Sequence, residues 1–315
     1  MALDMGESPV LVAIVGPTAT GKSTLAIKVA QRFDGEVVSC DSTAVYKGFD
    51  IGTDKPPISD RQGVAHHLID VVDGSCDYSA AQYARDATTA INSITGRGRL
   101  PILVGGSGLY YRALTRGLFD GPGRDDRMRT RLARIARRRG VEYLHRLVAR
   151  IDPASARRIQ PRDEKRLIRA LEVYYLTGRP LTDHFDSTRS PIASYQVITF
   201  GLHLPPEEIA SRVQYRVAHQ FQRGLIDEIK NLIDLGLSRE SHPFGGLVYR
   251  QALEYLDGVR DELATRELIV QENRRYAKRQ LIWFRKEPNL RWINRAGEHP
   301  DALKEAVSVL QARLL

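Results

Sequence analysis

The pattern of hydrophobic and polar positions predicts alternating strands and helices in the first part of the chain. Residues 10–17, 36–42 and 101–108 are apolar runs that end in small or polar residues, as buried parallel strands do. Residues 25–33 and 80–94 carry apolar positions at helical spacing. This alternation is typical of an α/β fold, in which helices cover a parallel sheet and functional groups gather at the carboxyl ends of the strands.

The pattern changes between residues 121 and 193, where it predicts Arg-rich amphipathic helices and no strand. Breaks at Gly140, 151–155 and 177–180 separate these helices. The elements predicted after them are a strand at 194–204, helices at 206–236, 248–257 and 264–287, and a short strand at 291–294. We therefore predict a parallel-sheet core formed by residues 1–120 and 194–315, interrupted by an all-helical insertion at 121–193.

Composition narrows the class of protein. A chain of 315 residues with 42% hydrophobic and 27% charged residues is typical of a soluble globular protein. Its apolar runs fall short of the roughly 20 residues that cross a bilayer, and its N-terminus lacks a signal-peptide pattern. The two cysteines, Cys40 and Cys76, are too few for a disulfide framework or a zinc site. We expect a cytoplasmic monomer without a membrane partner.

The net charge of +9 is concentrated in one segment. Residues 124–189 contain 17 Arg and one Lys against nine acidic residues, a surplus that equals the net charge of the whole chain. Such a surplus is typical either of solvated helix faces or of a surface that binds a polyanion, above all a nucleic acid.

Residues 16–23 (GPTATGKS) match the phosphate-loop pattern G-x-x-x-x-G-K-[ST] between a predicted strand and a predicted helix. Its glycines allow the backbone amides to point inward, Lys22 can reach the outer phosphate, and Ser23 can hold Mg²⁺. The phosphate-binding candidates are Gly16, Pro17, Thr18, Ala19, Thr20, Gly21, Lys22 and Ser23. A diphosphate compound and the tail of ATP would both satisfy this loop.

Three other features lie near the predicted carboxyl edge. Asp41 ends a strand beside the phosphate-loop strand, where it could act as a base, bind a metal or cap a turn. Residues 105–108 (GGSG) permit either close approach of the backbone to a ligand or a tight turn. His66 and His67 are interpreted as packing or hydrogen-bonding residues.

The helix predicted at 264–287 has two distinct faces. Its basic residues share one arc: Arg274, Arg275, Lys278, Arg279, Arg285 and Lys286. Its apolar residues share the other: Ile269, Tyr276, Ala277, Leu281, Trp283 and Phe284. The basic face could dock phosphates or be only a solvated surface.

Taken together, these motifs resemble those of the tRNA dimethylallyltransferases, which prenylate adenosine 37 beside the anticodon. The segments that carry the resemblance are GPTATGKS (16–23), DSTAVYKGFDIGTDKP (41–56), HHLID (66–70), GGSGLYYRAL (105–114), DPASARRIQPRDEKRLIRALEVYYLTGRPL (152–181), GLIDEI (224–229), VYRQALEYLDG (248–258) and RRYAKRQLIWFRK (274–286). The resemblance implies a kinase-like nucleotide fold whose phosphate loop serves dimethylallyl diphosphate.

The resemblance also implies residue roles. Asp41 would accept the proton of the adenine N6 amine, while Thr18, Lys22, Ser23 with Mg²⁺, and Arg216 would hold the departing diphosphate. The residues that would contact the tRNA anticodon stem-loop are Asp41, Ser42, Thr43, Ala44, Ser107, Arg129, Lys165, Arg166, Leu167, Ile168, Arg169, Gly245, Gly246, Leu247, Val248, Tyr249, Arg250, Lys278, Arg279, Gln280, Leu281, Ile282, Trp283, Phe284 and Arg285.

Two other functions use the same loop. A small-molecule kinase would use ATP and would be expected to have a short arginine lid instead of a long basic insertion. A non-catalytic RNA-binding ATPase would have no need of Asp41 near the phosphate loop.

Overall fold

The computed structural model describes residues 8–119, 121–185 and 188–314. Residues 1–7, on which the signal-peptide expectation depends, and Asp120, at the predicted boundary of the insertion, lie outside this part of the chain. The chain divides into two compact units. The first comprises Met1–Thr115 and Pro191–Leu315, and the second comprises Arg116–Ser190.

The first unit is built on a six-stranded parallel sheet. Its strands are β1 (Val10–Val15), β2 (Gly35–Ser39), β3 (His66–His67), β4 (Leu100–Gly105), β5 (Gln196–Leu202) and β6 (Leu290–Ile293). They lie in the order β3-β2-β4-β1-β5-β6, and every pair is parallel. The predicted α/β class with a parallel sheet is therefore confirmed.

Twelve α-helices occur in the described residues. They are α1 (Lys22–Arg32), α2 (Ala80–Gly96), α3 (Gly108–Thr115), α4 (Asp126–Arg139), α5 (Val141–Ile151), α6 (Pro153–Arg158), α7 (Glu164–Thr177), α8 (Pro206–Gln222), α9 (Leu225–Asp234), α10 (Tyr249–Leu256), α11 (Glu262–Phe284) and α12 (Pro300–Leu314). Within the described residues, no helix is long and apolar enough to cross a membrane.

The core of the first unit lies on both faces of the sheet. Leu11, Ala13 and Val15 of β1 pack into one apolar cluster, whereas Val12 and Ile14 pack into another. Alternate side chains of a strand point to opposite faces, so a continuous apolar run such as β1 requires cover on both sides. The burial of β1 on both faces fixes the strand that leads into the phosphate loop.

The second unit is a small helical domain made of α4, α5, α6 and α7. Asp125, Asp152 and Asp163 cap the N-termini of α4, α6 and α7 by accepting hydrogen bonds from backbone amides. Gly178 ends α7 in the left-handed conformation, with φ of 69°. The apolar faces of these helices form a separate core.

The structure differs from the predicted elements at a few positions. The helix predicted at 206–236 is two helices, because Gly224, with φ of 88°, separates α8 from α9. β3, α3 and α12 were not predicted from the sequence. In α12, Ala302, Ala306 and Leu310 are fully buried at four-residue spacing, a helical signal that the sequence does contain.

Candidate active site

The phosphate loop leaves β1 and enters α1 at the carboxyl edge of the sheet. Gly16 has φ of 130°, and a Cβ there would lie 2.6 Å from the Leu202 carbonyl oxygen, so a side chain cannot fit. Gly21, with φ of 81°, is the N-cap of α1 and provides no side-chain cap. The first amides of α1 are therefore available to an anion, which the helix dipole also favours.

Lys22 folds back over the phosphate loop. Its Nζ donates a hydrogen bond to the Pro17 carbonyl oxygen at 2.6 Å. Burial and the nearby Arg216 charge together lower the pKa of Lys22 to about 7, against the opposing effect of the Asp41 carboxylate. An arriving anion would stabilise the charged form of this ammonium group.

Arg216 and Gln280 reach the loop from distant helices. Nη1 of Arg216 in α8 donates to Oγ1 of Thr18 at 2.7 Å, and its Nε pairs with Asp54 at 2.9 Å. Oε1 of Gln280 in α11 accepts from the Thr18 amide at 2.8 Å, and its Nε2 donates to the Gly106 carbonyl oxygen at 2.9 Å. Two helices of the second half of the chain thus hold the loop in place.

Asp41 follows β2, one residue beyond buried Cys40. Its Oδ1 accepts hydrogen bonds from the Thr43 amide at 2.8 Å, the Thr43 hydroxyl at 2.7 Å and the Ala44 amide at 3.4 Å. Asp41 therefore caps a turn, which is one of the alternatives that the sequence left open for this residue. Within the described residues, no hydrogen bond engages Oδ2 of Asp41, so one carboxylate oxygen remains available for chemistry.

These groups line one cavity of about 740 Å³ in the first unit. The predicted catalytic residues Asp41, Lys22, Ser23 and Arg216 all contribute to its walls, together with Tyr276. A site at the carboxyl ends of parallel strands is where such folds bind ligands. The structure therefore brings together a phosphate cradle, two cationic side chains and a carboxylate.

The GGSG segment packs closely against the rest of the chain, and its Gly105 and Gly106 also line the cavity. A Cβ at Gly105 would lie 2.0 Å from the Cys40 carbonyl oxygen, and one at Gly106 would lie 2.1 Å from Nε2 of Gln280. Oγ of Ser107 accepts a hydrogen bond from the Ser42 amide at 2.9 Å. The segment thus holds the turn that carries Asp41, and the Ser107 side chain is buried.

The segment 245–250 contains a strained residue. Val248 has φ of 76°, which is rare for a β-branched residue, and its amide donates to Oε1 of Gln251 at 2.9 Å. Tyr249 is buried, and its hydroxyl donates to Glu228 at 2.6 Å while accepting from the Gly52 amide at 3.1 Å. Arg250 is exposed. Tyr249 therefore supports the loop at residues 50–57 with its side chain.

The C-terminal part of α11 and the two residues that follow it present basic side chains outward. Arg274, Arg275, Lys278, Arg279, Arg285 and Lys286 are all exposed, as the helical projection predicts. Ile282 is exposed as well, whereas Gln280 and Phe284 are buried and Leu281 and Trp283 are partly buried. The side chains of Gln280 and Phe284 are thus directed into the fold and do not offer a surface to RNA.

Among the predicted tRNA contacts in the helical unit, some are structural. Leu167 and Ile168 belong to its apolar core. Glu172 is fully buried and accepts hydrogen bonds from Nε of Arg129 and Nη1 of Arg169, each at 2.7 Å. Burial alone would raise the pKa of Glu172, but the bonds from Arg129 and Arg169 outweigh it and lower this pKa to about 2.

By contrast, the side chains of Lys165 and Arg166 are exposed in the helical unit.

Comparison with known proteins gives the family. A profile of the IPP transferase family matches residues 44–287. The tRNA dimethylallyltransferase of Solibacter usitatus is 46% identical over 301 residues, 94% of this chain and 96% of that protein. The chain belongs to the tRNA dimethylallyltransferase family. The homologue from Acidothermus cellulolyticus is likewise 46% identical, over 91% of this chain and 89% of that protein.

Solved structures of the family agree. The tRNA isopentenylpyrophosphate transferase of Bacillus halodurans has a TM-score of 0.72 at 38% identity, covering 97% of this chain and 96% of that one. A eukaryotic dimethylallyltransferase acting on tRNA has a TM-score of 0.79 at 26% identity, covering 97% of this chain and 80% of that one. The family resemblance drawn from the sequence motifs is confirmed.

Several residues around the site of this tRNA dimethylallyltransferase family member were not predicted from the sequence. Asp54, Gln220 and Glu228 contact Arg216 or the loop at residues 50–57. Gln280 was expected to contact tRNA, yet its bonds go to the phosphate loop and to Gly106. These contacts join residues far apart in the chain, so no local spacing could reveal them.

Proposed function

We propose that this protein transfers a dimethylallyl group from dimethylallyl diphosphate to N6 of adenosine 37 in tRNAs that read codons beginning with U. The products are N6-isopentenyladenosine in tRNA and diphosphate. The observation that carries the proposal is the placement of Asp41 in the same cavity as the phosphate loop, Lys22 and Arg216. A proton acceptor thus faces an anion cradle, as transfer to an amine requires.

The proposed reaction forms one bond and breaks one. The N6 nitrogen attacks the first carbon of the prenyl group, the bond between that carbon and the diphosphate oxygen breaks, and the diphosphate leaves with the electron pair. The nitrogen then carries an excess proton, which Asp41 accepts. The turn bonds to Oδ1 fix the direction of this carboxylate, so Oδ2 is the oxygen we assign to the proton transfer.

The departing diphosphate gains negative charge and needs positive partners. Thr18, Arg216 and the start of α1, with its open amides and the Lys22 side chain, all line the cavity. Donors fixed in place before the reaction stabilise such charge with little reorganisation. We assign the binding of the diphosphate to this set.

Magnesium fits the site as a partner of the substrate. Ser23 is exposed in the first turn of α1 and lines the cavity, so its hydroxyl can provide an oxygen ligand. Within the described residues, no group of three His, Cys, Asp or Glu side chains could hold a metal by itself. Mg²⁺ commonly takes few protein ligands and several phosphate oxygens, and it would neutralise part of the diphosphate charge.

The tRNA would be held by exposed basic side chains. We propose that Arg250 and the basic face of α11 contact the anticodon stem-loop from the first unit, and that Lys165 and Arg166 do so from the helical unit. All of these side chains are exposed. The target adenine must leave its stack to reach the cavity, which costs a few kcal/mol that such contacts can offset. We further propose that the protein acts as a monomer in the cytoplasm.

The test is to incubate the protein with unmodified tRNA, dimethylallyl diphosphate and Mg²⁺, and to digest the RNA for mass spectrometry. We expect prenylated adenosine with and without ATP. Because the phosphate loop is also compatible with ATP, a parallel reaction follows ATP and ADP. Release of ADP in step with product, or product formation only when ATP is present, would favour the kinase alternative.

A further inference from the structure

Asp54 lies in a backbone conformation that is unusual for a residue other than glycine. Its φ is 57°, and its amide donates to the Ile51 carbonyl oxygen at 3.1 Å to close a tight turn. The next residue, Lys55, is buried and pairs with Asp50 at 2.8 Å and Asp70 at 2.6 Å. A costly conformation persists only where the surroundings hold it, so this turn is fixed on its inner side.

Contacts from α8, α9 and α10 fix the turn on its other side. Oε2 of Glu228 accepts from the amides of Asp50 at 3.0 Å and Ile51 at 2.7 Å. Nε2 of Gln220 donates to the Ile51 carbonyl oxygen at 3.1 Å, and the Tyr249 hydroxyl accepts from the Gly52 amide. The backbone that carries Asp54 is therefore held at successive residues.

The Asp54 carboxylate meets Arg216 at its Nε, at 2.9 Å, while Nη1 of the same guanidinium donates to Oγ1 of Thr18 at 2.7 Å. A guanidinium is planar, and contacts at two different nitrogens fix both its position and its rotation. Both side chains keep about a third of their surface exposed and line the cavity.

We propose that Asp54 is a positioning residue that orients Arg216 toward the departing diphosphate, a role that rests on the proposed transfer reaction. Asp54 exerts two effects of opposite sign. Its short ion pair with Nε orients the arginine, which favours the diphosphate, and its negative charge repels the diphosphate.

Two substitutions separate these effects. Asn and Gly both tolerate the left-handed conformation of residue 54, so neither should strain the turn. Asp54→Asn keeps an oxygen that can contact Nε and removes the negative charge. Asp54→Gly removes both the oxygen and the negative charge. Asp54→Ser, whose hydroxyl is too short to reach Nε, replaces the Gly variant should that variant fail to fold.

The first measurement is single-turnover prenyl transfer at saturating tRNA. We expect Asp54→Gly to lower the rate on the order of tenfold, because one misaligned donor weakens stabilisation of the leaving group, and Asp54→Asn to recover most of the rate. In the Arg216→Gln background, Asp54→Gly should have little further effect. An equal loss in both backgrounds would overturn the proposal, because Asp54 would then not act through Arg216.

The second measurement is calorimetric titration with inorganic diphosphate, which does not depend on turnover. We expect Asp54→Asn to bind diphosphate at least as tightly as the unchanged protein and Asp54→Gly to bind it several-fold more weakly. Tighter binding by both variants would overturn the proposal and show that Asp54 only competes with the anion. Asp34→Asn, which removes an exposed carboxylate from another left-handed position outside the cavity, is the control and should leave binding unchanged.

A protein that forms no prenylated tRNA would contradict the proposed function. The titration with inorganic diphosphate would still test the role of Asp54, because it does not depend on turnover.

Discussion

At the scale of single residues, Asp41 combines a structural role with a chemical one. Its Oδ1 closes the turn to Thr43 and Ala44, which orients the carboxylate, and its Oδ2 makes no hydrogen bond within the described residues. The sequence had offered a turn cap and a base as alternatives. The geometry makes them compatible, because a carboxylate fixed at one oxygen presents the other in a defined direction.

Asp41→Asn tests the chemical role. The amide oxygen can still accept from the Thr43 backbone, so the turn should persist, but the side chain can no longer accept a proton. We expect the single-turnover rate to fall by roughly 10²- to 10⁴-fold while the dissociation constant for tRNA stays nearly unchanged. Thr43→Val, which loses the hydroxyl bond to Oδ1, is the control and should cost much less. A rate within a few-fold of the unchanged protein would remove Asp41 from the proton transfer.

The lowered pKa of Lys22 predicts that the protein takes up protons when it binds diphosphate. The pKa of Lys22 lies near 7 in the free protein, against an ordinary value of 10.5. Its amine is therefore largely neutral when the pH lies between these two values. A bound diphosphate favours the ammonium form and raises the pKa. We therefore expect diphosphate binding at pH 8 to take up protons, which titration in buffers of different ionisation enthalpy measures. Lys22→Met should abolish the uptake, and equal uptake in that variant would assign it to another group.

At the scale of elements, the sequence predicted those features that depend on residues close together in the chain. The strand, loop and helix at residues 10–32 follow from an apolar run, a glycine pattern and helical periodicity. The two-residue strand β3 has no such signal, since it consists of His66 and His67. Gln280 contacts Thr18 across 262 positions of the chain, a pairing that only the tertiary fold brings about. Local patterns thus gave the phosphate loop and Asp41, but not the network around them.

The buried Glu172 illustrates why the charges of the helical unit were partly misread. The sequence shows an arginine surplus, yet it does not show that Arg129 and Arg169 share one buried carboxylate. Removing such a carboxylate leaves their donors without a partner. Arg129 and Arg169 are therefore poor choices for testing RNA contacts, because their substitution would also disturb the fold.

Glu172→Gln should lower the free energy of unfolding of the helical unit by roughly 1–3 kcal/mol at neutral pH. The native pKa near 2 lies below the ordinary 4.5, so the stabilisation is present above about pH 4.5 and is lost as the pH falls toward 2. Denaturant unfolding at pH 7 and pH 3 should therefore show a smaller difference between the two proteins at pH 3. A difference that does not change with pH would contradict the role of this carboxylate.

The matched control is Asp163→Asn, which weakens the exposed pair with Arg166 but keeps an N-cap for α7. Its effect should stay within about 0.5 kcal/mol, as for surface ion pairs.

At the scale of the whole molecule, the positive charge divides into paired and unpaired groups. Many arginines of the chain lie in ion pairs, including those on Glu172 and Asp54. One face of α4 belongs to the unpaired group: Arg127, Arg131 and Arg134 are exposed, and none of them forms an ion pair with a described residue. An unpaired cationic row is free to exchange counterions for phosphates, so this row on α4 is one place where the charge surplus can act on RNA.

The last prediction concerns this row. Each phosphate that an arginine neutralises releases condensed counterions, so changing Arg127, Arg131 and Arg134 together to Gln should reduce the slope of log affinity against log salt by roughly one unit or less per residue. Different tRNAs should lose affinity about equally, because phosphate contacts carry no base identity. Affinity for inorganic diphosphate should not change, since the residues that line the cavity all belong to the first unit.

A charge-matched control is available in the first unit, where Arg32, Lys304 and Arg313 lie on α1 and α12. Changing these three to Gln removes the same charge, and none of them lines the cavity. If the slope fell equally in both triple variants, net charge alone would explain the salt dependence. If it fell in neither, the row on α4 would be only a solvated helix face. A fall confined to the α4 variant would assign the polyanion surface to that helix, and tRNA titrations from low to moderate salt distinguish the three outcomes.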